Sequence, residues 1–166
     1  MSNTSPFRAE QLHLIVQNES AHLVLNEELS EDTLHELSLK SIDIVSADYE
    51  NDFEEIEITL RIVDEKEAQQ LNRQYRHKDY PTNVLTFEYG IDETATLRAD
   101  IVICAAVVQK EADEQNKAFA AHFKHLLVHG ILHSLGFDHQ NDEEADAMEA
   151  LEIAILAHFL IKNPYI

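Results

Sequence analysis

The residues of this chain best suited to chemistry lie in His129-Gly130-Ile131-Leu132-His133-Ser134-Leu135-Gly136-Phe137-Asp138-His139, where histidines fall at i, i+4 and i+10. On a helix rising 1.5 Å and turning 100° per residue, His129 and His133 stand about 6 Å and about 40° apart. Both rings can therefore reach one ion at about 2.0–2.1 Å. A helix continued to His139 would swing that ring about 240° round from His133, so the helix must stop first. Gly136 is placed to stop it, because glycine accepts the left-handed conformation that closes a helix and lets the chain turn back. Three neutral imidazoles with room for water make a hydrolytic rather than a structural zinc site, with one Zn2+ per chain. Imidazole also suits Ni, Cu and Fe.

Two more histidines, His122 and His125, share the stripe of His129, and a His125–His129 pair is a geometric alternative that leaves Gly136 and His139 unexplained. As core or supporting groups both are accounted for. Zinc peptidases built on H-E-x-x-H carry a glutamate base after the first histidine, but here that residue is Gly130. The spacing is thus metzincin-like without the peptidase base. A helix-interior glycine costs about 1 kcal/mol relative to alanine, which points to close approach of backbone or ligand at that position.

The elements that must hold these groups follow from periodicity. The run 118–135 is apolar nearly all round, as a helix in the middle of the molecule would be. Residues 55–63 alternate Ile56, Ile58, Leu60 and Ile62 with Glu57, Thr59 and Arg61, the period of a strand. Further strands are expected at 12–16, 84–89 and 101–104, the last short and apolar enough to be central. Helices are expected from Ser30 to about 44, from a capping box of Asp64 with Glu67 to Tyr75, over 105–115, and from Asn141 with Glu144 through Phe159. The predicted class is α+β: about four strands in a mixed sheet packed with about five helices, the histidine site on a central buried helix and the following turn.

At 166 residues, 45% hydrophobic and 27% charged, the chain is expected to be one domain, 1–166, with a real core. One cysteine, Cys104, excludes an intrachain disulfide and a Cys-rich zinc ribbon; it reads as core in an apolar strand, in a reducing cytoplasm. The start, 1–11, shows no leader pattern, and no apolar run approaches the ~18 residues of a membrane span. A net charge of −20 argues against diffuse attraction to nucleic acid or anionic lipid. Its distribution is uneven: residues 1–60 carry 2 basic and 14 acidic side chains, whereas 61–141 carry 9 and 12. A locally basic site in the middle stretch is compatible with screening over ~8 Å.

Beyond the histidine segment, Leu71-Asn72-Arg73-Gln74-Tyr75-Arg76-His77-Lys78-Asp79-Tyr80-Pro81-Thr82-Asn83-Val84-Leu85-Thr86-Phe87 resembles the LN-x-x-YR-x-KD-x-PT-(D/N)-VL-(S/T)-F signature of the YbeY endoribonucleases. Asp100-Ile101-Val102-Ile103-Cys104 and the ending from Glu149 to Tyr165 are similar too. The chain departs from that pattern in Leu97-Arg98-Ala99-Asp100, where the family commonly has LGD, and in lacking a glycine around His158-Phe159-Leu160. The resemblance runs from about Ile56 to the C-terminus.

It implies a zinc-dependent, single-strand-specific endoribonuclease of small-subunit rRNA 3′-end maturation and ribosome quality control, whose partners are the rRNA precursor and the small subunit or its proteins. The family's zinc histidines carry onto His129, His133 and His139, and its functional arginine onto Arg76. Arg76 and His129 are then the catalytic candidates, and Arg73, Arg76 and Lys78 the substrate-binding ones. A guanidinium suits this task because it stays charged and binds phosphate in a bidentate way. Asp138 either orients a ligand ring or caps its own turn. Thr82, Asn83 and Thr86 could contact the strand or serve their turn. Two rivals remain at this level: a zinc metallopeptidase-like hydrolase, and a non-catalytic ribosome-assembly factor with structural zinc.

Overall fold

A computed structural model of the chain describes residues 7–49 and 52–166, so the first six residues of the start read for a leader lie outside it. Strands β1 (Leu12–Asn18), β2 (Glu55–Val63), β3 (Val84–Ile91) and β4 (Thr96–Cys104) form one sheet in the order β1-β2-β4-β3. β1, β2 and β4 run parallel, and β3 returns antiparallel to β4 as an edge strand. The alternation in β2 works as expected: Ile56, Ile58, Leu60 and Ile62 are wholly buried on one face. On the other, Arg61 bridges Glu19, at 2.9 Å, and Glu67.

β4 is central, but it begins five residues earlier than the apolar run suggested. Its first half alternates, Leu97 and Ala99 facing the core while Arg98 and Asp100 face the other way. Arg98 lies opposite Glu57 in the ladder and bonds it at 2.9 Å, so charges that look like loop in the sequence are a cross-strand pair. The departure at Leu97-Arg98-Ala99-Asp100 therefore falls within a strand and changes no loop.

Among the described residues five α-helices cover this sheet: α1 (Glu31–Asp48), α2 (Glu65–Arg76), α3 (Ala105–Glu114), α4 (Phe119–Ser134) and α5 (Asp142–Ala157). α1, α4 and α5 build the main core on one face, with Leu34, Leu37, Phe123, Leu127, Ile131, Met148 and Ile155 buried against the β2 isoleucines. α2 covers the opposite face, where Ala68 and Leu71 meet Val63, Leu85, Val102 and Cys104. Ser30 caps α1 by accepting from Thr33 N at 3.1 Å, and Asn141 caps α5 by accepting from Glu144 N at 2.8 Å.

The Asp64–Glu67 capping box is not made. Asp64 precedes α2 but its carboxylate accepts from Ser20 Oγ at 2.6 Å and Ala21 N at 3.1 Å, while Glu67 turns to Arg61. A loop 44 residues upstream supplies better donors than the helix's own first turn, and the same bonds hold the Asp64 carboxyl below its usual range. α5 stops at Ala157, two residues short of Phe159. Leu160 then takes a left-handed φ of 60° at the position where a glycine was missed, with its side chain in solvent.

Gly130 explains how α4 sits on the sheet. A Cβ there would lie 2.9 Å from Cγ2 and 3.1 Å from Cδ1 of Ile101, a wholly buried residue of β4. The position that carries a catalytic glutamate in H-E-x-x-H helices faces the sheet here, and only hydrogen fits. Gly130→Ala should gain about 1 kcal/mol of helix propensity and lose about 1–3 kcal/mol to overpacking. The expected outcome is a net destabilisation of about 1 kcal/mol, seen as a lower urea midpoint at unchanged slope.

Candidate metal centre and cleft

Gly136 closes α4 as its position implied. With φ at +101° it lets Phe137 N donate to Leu132 O and its own N donate to His133 O, both at 3.0 Å. These are the two bonds of a Schellman turn. The reversed chain carries His139 back to the helix, its ring centroid 5.7 Å from that of His129 and 5.1 Å from that of His133. One ligand nitrogen from each of the three rings falls within 4.8 Å of the others. His129 Nε2 and His133 Nε2 are 3.1 Å apart, close to the ~3.3 Å edge of a tetrahedron with metal–nitrogen bonds of about 2.05 Å. Two ring nitrogens facing each other need a proton or a cation between them, so the donor set fits a metal ion.

The tautomer of His129 is set from behind. Its Nδ1 donates at 2.7 Å to Glu152 Oε1, a carboxylate on α5 with 1% exposure, leaving the lone pair of Nε2 directed toward the cluster as a ligand. Glu152 also accepts from Tyr165 Oη and stands 3.5 Å from His125 Nε2. Burial alone would raise its pKa, yet the hydrogen bonds from His125, His129 and Tyr165 together bring it down to about 2. Tyr165 is pushed above its usual range by burial and by that carboxylate. In the cluster itself, burial and the neighbouring His129 and His139 hold His133 below the usual imidazole range, favouring the neutral form that can ligate.

Glu152 escaped the sequence reading, although an acid between Met148, Leu151 and Ile155 on the buried stripe of a helix was a visible signal. Asp138 instead accepts from the backbone N of His139 at 2.8 Å, with the His139 ring 3.8 Å away. His122 bonds Glu111 at 3.0 Å, so it lies outside the cluster, and His125 joins the support of Glu152.

The histidines open on a cleft of about 660 Å³ that follows the free edge of β3. Val84 and Thr86 pair with Ile103 and Ile101, whose side chains lie on the α4 face; Leu85 pairs with Val102 on the α2 face. The cleft therefore straddles the edge strand, with His129, His133 and His139 to one side and Tyr75 and Arg76, from the last turn of α2, to the other. His77 ends that helix with a left-handed φ of 60°, which leaves Arg76 at its exposed tip. Arg73 and Lys78 are exposed nearby but do not line the cleft; Asn83 and Thr86 do, and Thr82 does not. Asn83 is already engaged by Glu111, at 3.0 Å, and by its own turn. Glu88 also lines the cleft, its carboxyl raised by burial and by Asp138. Cys104 is buried and free, as read.

An α+β fold with a three-histidine cluster on a helix and its closing turn, set beside an open sheet edge, defines a class of protein that could bind a metal at an open cleft. The family model described as Endoribonuclease YbeY matches residues 16–160, and the chain belongs to that family of RNA-cleaving hydrolases. An endoribonuclease YbeY of Janthinobacterium sp. (strain Marseille) is 58% identical over 111 residues, covering 66% of this chain and 73% of that one. That of Bordetella avium (strain 197N) is 52% identical over 115 residues, covering 69% and 71%. The solution structure of a Thermotoga maritima protein superposes with a TM-score of 0.54 at 22% identity, covering 89% of this chain and 91% of the other, which bears on the fold.

Removing the charge of Glu152 while keeping its shape isolates its hold on His129. Glu152→Gln should weaken the cluster's affinity for an added metal ion, with Zn2+ as the probe, by about 10- to 100-fold in a chelator competition, with the far-ultraviolet circular dichroism unchanged.

Proposed function

We propose that this chain is a single-strand-specific endoribonuclease that holds one zinc ion through His129, His133 and His139 and acts in small-subunit rRNA 3′-end maturation and ribosome quality control. In this reading residues 1–166 form one cytoplasmic domain whose partners are the rRNA precursor and the small subunit or its proteins. The observation that carries the chemistry is the convergence of the three imidazoles beside a cleft that Arg76 also lines. When bound, zinc would supply an acidified water and a Lewis acid for a phosphoryl oxygen.

The chain's own residues divide the remaining work. Glu152 keeps the Nε2 of His129 aimed at the cluster. Arg76 clamps phosphate: Arg61 and Arg98 are neutralised by carboxylates, whereas Arg76 has no ion pair among the described residues and stays available to an anion. Arg73 and Lys78 add positive potential on the approach. The peptidase alternative lacks its base, since Gly130 is pressed against Ile101. A structural zinc site would close its fourth position with protein, yet among the described residues the cluster has three donor side chains and His139 is half exposed.

Arg76→Glu should reduce cleavage of single-stranded RNA at least 100-fold while zinc stays near one per chain, and His133→Ala should lose the metal as well as the activity; metal analysis beside a gel assay reads both. With a net charge of −20, capture of free RNA at long range is weak. Precursor presented on the small subunit should therefore be cleaved at least 10-fold more efficiently than naked RNA at the same salt.

A further inference from the structure

Tyr75, Phe87 and Tyr89 all line the cleft, as does Arg76, and neither the histidine cluster nor the core accounts for the two tyrosines. Phe87 is half-buried against α2 and makes a T-shaped contact with the Tyr75 ring, with centroids 4.9 Å apart and planes at 72°. Tyr75 remains 56% exposed and Tyr89 63% exposed, which is unusual for two large rings lining one concavity. The placement of Tyr89 has a backbone cause. Glu88 pairs with Ala99 and Gly90 with Arg98, so Tyr89 is the extra residue of a bulge in β3, and Gly90 follows with φ at +76°. Bulges re-aim side chains at sheet edges. The ring is then tethered, because its hydroxyl donates to Asp100 Oδ2 at 2.8 Å.

We propose that Tyr89 and Tyr75, exposed along the same cleft, are a stacking platform for the nucleobases of the single strand whose phosphate lies between Arg76 and the histidines. The inference rests on the endoribonuclease reading and specifies a base subsite within it. Unpaired bases offer a free face to an aromatic ring, whereas bases stacked in a duplex do not, so such a platform selects single strands without reading sequence. The tether to Asp100 holds the Tyr89 ring ready before the strand arrives, which reduces the ordering cost of binding. A peptide strand along β3 would use the edge backbone and would gain nothing from the bulge that interrupts it.

The test uses the intact zinc-loaded protein and a labelled single-stranded oligoribonucleotide, with copies that each carry one abasic residue at successive positions. Binding is followed by fluorescence anisotropy at fixed salt, and cleavage of the same oligonucleotides is scored in parallel. Tyr89→Ala should weaken binding about 10-fold, Tyr89→Phe should recover most of that loss, and urea midpoints should stay together because the ring is largely exposed. An abasic residue at one or two positions should cost the wild type about as much and add little to the Tyr89→Ala variant. Indifference of the wild type to every abasic position, or losses that simply multiply in the variant, would overturn the platform. Base-dependent binding without any cleavage sinks the nuclease reading and leaves the platform standing. Cleavage that ignores the bases does the reverse.

Discussion

The reversal of the chain at Gly136 is the constraint on which the candidate centre depends. Two histidines one helical turn apart can touch an ion, but they cannot enclose it, and a third donor must come from outside the helix. A left-handed residue at the C-terminus of α4 satisfies the helix's last carbonyls and turns His139 back toward its partners in the same stroke. The turn thus solves a backbone problem that every helix has, and the solution happens to complete a set of nitrogen donors. A side chain with a Cβ at that φ would strain the turn, and any relief would move the third ring.

Around that turn the fold divides its labour by distance from the cleft. α4 is held against β4 by the close contact of Gly130 with Ile101, which fixes the height of His129 and His133 above the sheet. α5 is held in the same core by Met148, Ile155 and Leu156, and it delivers one buried acid, Glu152, to the back of His129. The cost of burying that carboxylate is offset by three hydrogen-bond donors, one of them from Tyr165 near the end of the chain. The rigid part of the site therefore draws on residues from α4, α5 and the final segment. The cleft side, by contrast, is built from an edge strand and a helix tip, where the sheet needs no further cover.

The protein's large negative charge fits this division. Acidic side chains crowd the first 60 residues and α5, and two of the arginines elsewhere are drawn into pairs, Arg61 with Glu19 and Arg98 with Glu57. Among the described residues Arg73 and Arg76, in the last turn of α2, have no ion pair, and Arg76 is the one of the two that lines the cleft. A few uncommitted cations at one helix tip of an acidic molecule act at short range, after an encounter, and contribute little to capture from a distance.

Much of this arrangement was legible in the residues because it is local. The i, i+4 spacing, the closing glycine, the alternation in β2, the caps at Ser30 and Asn141 and the apolar run of α4 each depend on neighbours within about a helical turn, and the family signature added Arg76. What the chain kept hidden is non-local. The partner of His129 lies 23 residues on in a different helix, the donors to Asp64 lie 43 and 44 residues back, and the strand character of Arg98 shows only once Glu57 stands opposite. The bulge at Tyr89 and the placing of α2 and α4 on opposite sides of one sheet edge belong to the same class. Periodicity reports which face a residue takes, but it carries no information about which other face will meet it, and that meeting decided where the cleft runs and what lines it.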